Sequence, residues 1–240
     1  NATYSAESKK IEHLIPPLNS GSFSDEQMKL MTEKIIDFSE PPGGTTESYF
    51  VTLENGTKAI FKPNNRHWGT NPRAEIVASE LNDFFEFNLV PTTVHREVNG
   101  RFGSLQVLED SRTNLAKSPL APIKIEESGK LHLFDFLIDS RDRHGGNSLV
   151  GHDNTIIAID NSNSFTGRGQ TYIKFKNRKR FIDAYLSTPE GRQMIERFKE
   201  SQTEAFTDQL KERLGQEDTK RFMQRLSFLI NYYENYFKNL

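Results

Sequence analysis

The side chains best suited to chemistry concentrate in two short stretches, Asp142-Arg143-His144-Gly145-Gly146-Asn147 and Ile157-Ala158-Ile159-Asp160-Asn161. Between them lie a short apolar run, Leu149-Val150, a polar turn, Gly151-His152-Asp153-Asn154, and a strand pattern over Thr155 to Ile159. That order predicts a hairpin with its tip near residue 153. Asn147 and Asp160 are equidistant from a point between residues 153 and 154, so folding back brings the Asn147 amide oxygen beside the Asp160 carboxylate. Two adjacent oxygen ligands suit a hard divalent cation such as magnesium, which keeps several of its waters. Asp160 also follows three apolar strand residues, and a carboxylate at a buried strand end needs a partner.

Asp142 precedes Asn147 by five residues, the interval of the kinase catalytic loop D-x-x-x-x-N, whose Asp is the base and whose Asn holds a metal. Lys62, near the end of a strand, and Glu75, on the following helix, supply the pair in which a glutamate orients a lysine toward nucleotide phosphates. A glycine-containing loop, the lysine, the glutamate, Asp142 with Asn147, and Asp160 thus follow one another in kinase order. His144 either braces the loop by hydrogen bonding or contacts phosphate.

These residues need elements to position them. Ser24 reads as an N-cap with Asp25, Glu26 and Gln27 in the first turn, predicting a helix to about Phe38. Alternation over Ser48 to Leu53 and Lys58 to Lys62 around Asn55-Gly56 predicts a β-hairpin, with Gly43-Gly44 at its head. Pro72 opens a helix over 72–87, and Thr92 to Val98 and Arg101 to Leu108 form a second hairpin around Asn99-Gly100. The polar, proline-bearing stretch Glu109 to Lys130 reads as a connector, and Leu131 to Ile138 as an amphipathic segment. From about Arg178 onward the pattern is helical, with Met194, Ile195 and Phe198 on one face. Phe222, Leu226, Leu229, Ile230 and Tyr233 form another. No internal repeat or low-complexity tract appears. The fold class expected is α+β, strand-rich first and helix-rich second.

The 240 residues carry 31 Lys or Arg and 33 Asp or Glu, a net charge of −2. The length suits one two-lobed unit or two small domains. Near-neutrality argues against a nucleic-acid binder, whose affinity rests on excess cations. There is no cysteine, so disulfides, thiolate zinc sites and thiol nucleophiles are excluded, and the six histidines form no HExxH pairing. The longest uninterrupted apolar run, Ile156 to Ile159, is far below the ~20 residues of a membrane helix, so no integral membrane association is expected. Asn1 is not a methionine and residues 1 to 20 hold no secretory h-region, so compartment stays open, cytoplasmic or exported as a bacterial effector.

The sequence resembles the phosphatidylinositol 3-/4-kinase-like branch of the kinase superfamily, its type II phosphatidylinositol 4-kinases and small bacterial members above all. The resemblance rests on Gly44-Thr45-Thr46-Glu47-Ser48-Tyr49-Phe50-Val51, Ala59-Ile60-Phe61-Lys62-Pro63, Arg73-Ala74-Glu75, Val90-Pro91-Thr92-Thr93-Val94 and Gly103-Ser104-Leu105-Gln106. Asp142 to Asn147 and Ala158 to Asn161 complete it. Fam20-type secreted kinases, actin–fragmin kinase and HipA-like kinases look similar around the same landmarks. The resemblance implies a two-lobed protein-kinase-like fold, with an N-terminal lobe over 1–108 and a mainly helical C-terminal lobe over 109–240. It implies ATP with Mg2+ or Mn2+ in the cleft between them. Lys62 would hold the α- and β-phosphates, braced by Glu75, while Gly44, Thr45, Thr46 and Ser48 cover them. Gln106, Val107 and Glu109 would belong to the hinge against adenine. Asp142 would orient or deprotonate the acceptor hydroxyl, with His144 beside it, and Asn147 and Asp160 would bind metal. Glu47 stands where a glycine is common, and Asn161-Ser162 replaces a frequent Asn-Gly.

Lys174, Lys176, Arg178, Lys179 and Arg180, interleaved with aromatics, fall where the resemblance puts a substrate-facing segment. They suit a phosphoinositide headgroup or an acidic peptide, or form only a solvated basic turn. The expected activity is transfer of the γ-phosphate of ATP to a hydroxyl. A protein Ser/Thr acceptor is favoured slightly, because no membrane anchor or palmitoylated cysteine cluster accompanies the patch. A lipid kinase, a catalytically silent binding module or an AMP transferase on the same scaffold are the alternatives.

Overall fold

A computed structural model describes residues 17–18, 21–40, 47–65, 71–118, 122–167 and 171–238. Helix α1, Asp25–Thr32, starts at a capping box in which Ser24 and Gln27 each bond the other's backbone. It stops at Thr32 and not near Phe38, because Glu33 turns extended and Ile35–Ser39 becomes strand β1. The β-branched Ile35 and Ile36 follow the strand, not the helix, and β1 pairs antiparallel with β2, Tyr49–Leu53. Strands β3 (Lys58–Pro63), β4 (Thr93–Val98) and β5 (Arg101–Val107) complete an antiparallel sheet of order β1-β2-β3-β5-β4. Asn99 and Gly100 both take positive φ, as a two-residue turn between right-twisted strands requires. Val51, Leu53, Ala59, Phe61, Val94, Val98 and Leu105 form the core of this sheet, and Leu30 of α1 packs into it.

Helix α2, Pro72–Phe85, is capped by Asn71 and ends at Glu86 in the left-handed region. Its Ala74, Val77, Ala78, Leu81 and Phe85 join a second, larger core with the helices that follow. Phe85 meets Phe198 edge-on at 4.9 Å and Phe87 meets Phe134 at 5.0 Å. The expected connector is partly ordered into elements. Thr113–Asn114 is a short strand, β6, and Ile125–Leu137 is helix α3, which absorbs the amphipathic stretch. Strands β7 (Ser148–Val150) and β8 (Ile156–Ala158) pair with it in the order β6-β7-β8.

Four helices complete the chain: α4 (Thr171–Leu186), α5 (Pro189–Glu200), α6 (Glu204–Leu214) and α7 (Gln216–Lys238). Helicity therefore begins at Thr171, before the Arg178 start expected from sequence, because Phe175 is buried in the large core and fixes the first turns. Met194, Ile195 and Phe198 are fully buried, as are Phe222, Leu226 and Leu229. Among the described residues no helix is long and apolar enough to cross a membrane.

The contact of α3 with α4 depends on Gly129. A Cβ there would meet the Phe181 carbonyl oxygen at 2.0 Å, a backbone atom that cannot swing aside. Gly129→Ala therefore overpacks the helix pair, by about 1–3 kcal/mol, and the melting temperature is expected to fall by several degrees. An unchanged melting temperature would show that the two helices can slide apart.

Candidate functional site

Strand β3 carries Lys62 between Phe61 and Pro63, whose side chains go to the opposite, buried face. The Lys62 ammonium lies 2.6 Å from Glu75 Oε1 and 2.9 Å from Asp160 Oδ1, joining the sheet to α2 and to the end of β8. Glu75 sits in the first turn of α2, 2% exposed, so it needs the partners it has. Its second oxygen accepts the Asn161 backbone N–H at 2.9 Å. Burial would lower the Lys62 pKa, but the two carboxylates overcome it and raise the value above that of an ordinary lysine. Burial likewise opposes the Asp160 charge, yet Lys62, followed by the Ser162 hydroxyl, holds its carboxyl below the usual range.

Asp160 adopts φ +56°, a conformation uncommon outside glycine that Asp tolerates better than most. This bend carries its carboxylate out of the β8 line toward Lys62. The hairpin pairs Ser148 with Ala158, and one step beyond it the Ile159 N–H donates to the Asn147 carbonyl at 3.2 Å. Asn147 and Asp160 thus share the open end of the hairpin. The Asn147 amide nitrogen donates to the Asp142 carbonyl at 3.1 Å, which leaves its side-chain oxygen as the acceptor. Asp160 Oδ1 takes both Lys62 and the Ser162 hydroxyl (3.0 Å), leaving Oδ2 for another ligand. The Asp142 carboxylate is exposed and, among the described residues, makes no hydrogen bond or ion pair. The His144 ring caps the one-turn helix Gly145–Asn147 by accepting the Gly146 N–H at 3.0 Å. Of its two sequence readings, the structure shows the bracing contact.

Arg143 holds this assembly together, and sequence reasoning gave it no role. Its Nε faces the Asp135 carboxylate of α3 at 3.0 Å, and its Nη1 donates to the carbonyls of Asn147 (2.7 Å) and Ile159 (2.6 Å). Its Nη2 donates to the Asn161 side chain. One guanidinium therefore ties the Asp142 loop, the end of β8 and α3 together, a task that needs its planar fork of donors. The available signal was Asp135, the lone acid in the otherwise apolar run Leu133 to Ile138. Burial raises its pKa, opposed by Arg143.

The remaining sequence candidates are distributed differently. Gly44, Thr45 and Thr46 lie outside the described residues, and Ser48 is half-buried just before β2. Glu47 is gripped by Arg101, Asn65 (2.7 Å) and Tyr49 (2.7 Å), which drive its carboxyl down to about 2. Of the residues expected at the hinge, Gln106 and Val107 lie within β5. Gln106 is buried with its amide donating to Thr93 Oγ1 at 2.8 Å, and the Val107 N–H donates to Thr92 O at 3.0 Å. The backbone leaves the sheet after Leu108, whose N–H donates to Lys58 O at 2.9 Å, so Glu109 is the first residue clear of it. The basic residues lie on helix α4, not on a turn. Lys174 caps the Ser140 and Arg141 carbonyls at 3.1 Å, and Lys179 pairs with Asp183 at 2.7 Å beneath Tyr236. Arg180 stacks on Phe181 at 4.5 Å, while Lys176 and Arg178 are exposed.

No family model and no curated protein matches this sequence. Solved structures do. A hydra Fam20 structure with sugar superposes at a TM-score of 0.61 with 14% identity, covering 97% of this chain and 95% of that one. A Golgi casein kinase superposes at 0.57 with 15% identity, over 91% of this chain and 79% of that one. The same kinase with Mn/ADP bound gives 0.55 and 15%, over 89% and 77%. The chain has a two-lobed, protein-kinase-like fold. Its strand-rich lobe bears Lys62 and its mainly helical lobe bears Asp142, Asn147 and Asp160.

Proposed function

We propose that this protein is an ATP-dependent phosphotransferase that moves the γ-phosphoryl group to a hydroxyl acceptor, a protein Ser or Thr. The observation that carries the reading is the Lys62 ammonium seated between Glu75 and Asp160, at 2.6 and 2.9 Å; the Asp142 carboxylate is exposed and, among the described residues, makes no hydrogen bond or ion pair. We place the lobe boundary at residues 108 and 109, where the chain leaves the large sheet.

A nucleotide in the cleft lays its phosphates against Lys62, whose charge is fixed by Glu75 when Asp160 turns to other ligands. Among the described residues no three His, Cys, Asp or Glu side chains gather, so a cation here takes few protein ligands. Asp160 Oδ2 and the Asn147 amide oxygen are two hard donors that would hold Mg2+ or Mn2+. When bound, such an ion neutralises charge on the phosphates. Asp142 accepts the proton of the attacking hydroxyl, whose oxygen bonds to the γ-phosphorus as ADP departs. Positioning and charge stabilisation carry most of this chemistry, so the pre-set ion pairs are the relevant machinery. Support for ATP comes from the fold shared with a kinase solved with Mn/ADP.

The test uses ATP labelled at the γ or the α position, offered with protein extracts and with phosphoinositide vesicles. Label from the γ position on protein, lost in Lys62→Met, is expected. Label on lipid replaces the acceptor, label from the α position replaces the reaction with AMP transfer, and no label removes the enzyme reading.

Ser162 refines the site. Its hydroxyl occupies one lone pair of Asp160 Oδ1 and so aims Oδ2. Ser162→Ala is expected to raise the metal concentration for half-maximal activity about five- to tenfold, consistent with a net ~1 kcal/mol hydrogen bond. A metal titration of both proteins checks this, and superimposable curves would show that the hydroxyl positions nothing.

A further inference from the structure

Five cations of the basic stretch stood out in sequence, and the structure sorts them. Lys174 and Arg178 line a cavity, together with His132 and Asp135 of α3, Arg143 of the Asp142 loop and Asn177 of α4. The cavity is about 190 Å3, below the ~300–1,000 Å3 of sites for drug-sized ligands and suited to a group of few heavy atoms. Its charges do not cancel. Asp135 is matched by Arg143, which holds it at 3.0 Å. Lys174 contacts only carbonyl oxygens, and Arg178 makes no ion pair among the described residues. Two positive charges remain for one small cavity, with the Asn177 amide and the His132 ring as neutral donors.

We propose that this cavity is a binding site for a tetrahedral oxyanion, a phosphate group either free or as a small monoester. Lys174, Asn177 and Arg178 are exposed at the cavity mouth, and a guanidinium and an ammonium with neutral donors suit such an anion. His132 reports on the site. Burial, then the charges of Arg178 and Arg143, push its pKa down to about 4, so at neutral pH it adds no charge and keeps one N–H to donate. Lys174 and Asp135 also face it, and the edge of Phe181 lies 5.5 Å away. An anion here offsets the Lys174 and Arg178 charges and moves the His132 resonances. The site is separate from the Lys62 pair, so it does not rest on the phosphotransfer reading.

The test titrates inorganic phosphate, and in a second arm phenyl phosphate, into the full chain while following the His132 ring signals by NMR. Saturable shifts are expected in the native protein and in Lys62→Met, which separates this cavity from the nucleotide cleft. Arg178→Gln is expected to weaken binding about tenfold, and Arg178→Lys less. Lys176→Gln, at a cation of the same helix outside the cavity, should leave it unchanged. Tighter binding of phenyl phosphate assigns the site to monoesters, and tighter binding of inorganic phosphate to the free ion. Unmoved His132 signals, or equal losses in Lys176→Gln and Arg178→Gln, would overturn the proposal, because the anion would then sense only the general field of the helix.

Discussion

Asp160→Asn is expected to reduce phosphoryl transfer about a thousandfold or more while leaving the fold intact. The substitution keeps the shape and tolerates the left-handed backbone at this position. It removes the charge that the Lys62 ammonium and the Ser162 hydroxyl orient, and with it the hardest oxygen ligand at the open end of the hairpin. Loss of one preorganised electrostatic group costs roughly a hundred- to a thousandfold in comparable sites, and here metal affinity is lost as well. Glu75 still holds Lys62, so melting should shift by only a few degrees. Turnover, metal titration and melting measured together decide the matter. Full activity would remove Asp160 from the site, and a collapse of melting equal to the loss of activity would make it structural.

Arg143→Ala is expected to be the most destabilising single change in the helical lobe. It strands the Asp135 carboxylate in the interior and frees the carbonyls of Asn147 and Ile159. Breaking one partner of a buried pair costs about 3–5 kcal/mol, or a fall in melting temperature on the order of 10 °C for a domain of this size. Arg143→Lys should recover only part, because a point charge cannot serve acceptors spread over α3, the Asp142 loop and β8. Asp135→Asn combined with Arg143→Ala should be more stable than Arg143→Ala alone, since no charge is then left unpaired. Urea unfolding of the three variants checks this order. Equal stabilities would mean that the pair is solvated and ties nothing together.

Much of the site was legible because its chemistry is local in sequence. The interval from Asp142 to Asn147 and the hairpin symmetry about residue 153 are set by turn residues and alternation, and the ladder pairs Ser148 with Ala158 accordingly. Lys62 and Glu75 could be paired because a strand and the next helix are neighbours in most folds. What escaped depends on tertiary context. Arg143 reads as one more polar loop residue until Asp135, eight positions away, is seen to be buried opposite it. Ile35 to Ser39 looked like the end of a helix because its apolar spacing fits either period, and only pairing with β2 decides for a strand. The residues before Arg178 gave no helical signal because charge says nothing about secondary structure, whereas the burial of Phe175 starts the helix at Thr171.

The central claim is that Lys62, Glu75, Asn147 and Asp160 surround one triphosphate. The most direct measurement is a crystal structure of the protein with Mn2+ and a non-hydrolysable ATP analogue, using the anomalous signal of manganese. The account predicts a manganese peak in contact with Asp160 Oδ2 and the Asn147 amide oxygen, with the analogue's phosphates against the Lys62 ammonium. A nucleotide bound elsewhere, or manganese with neither ligand, would contradict it.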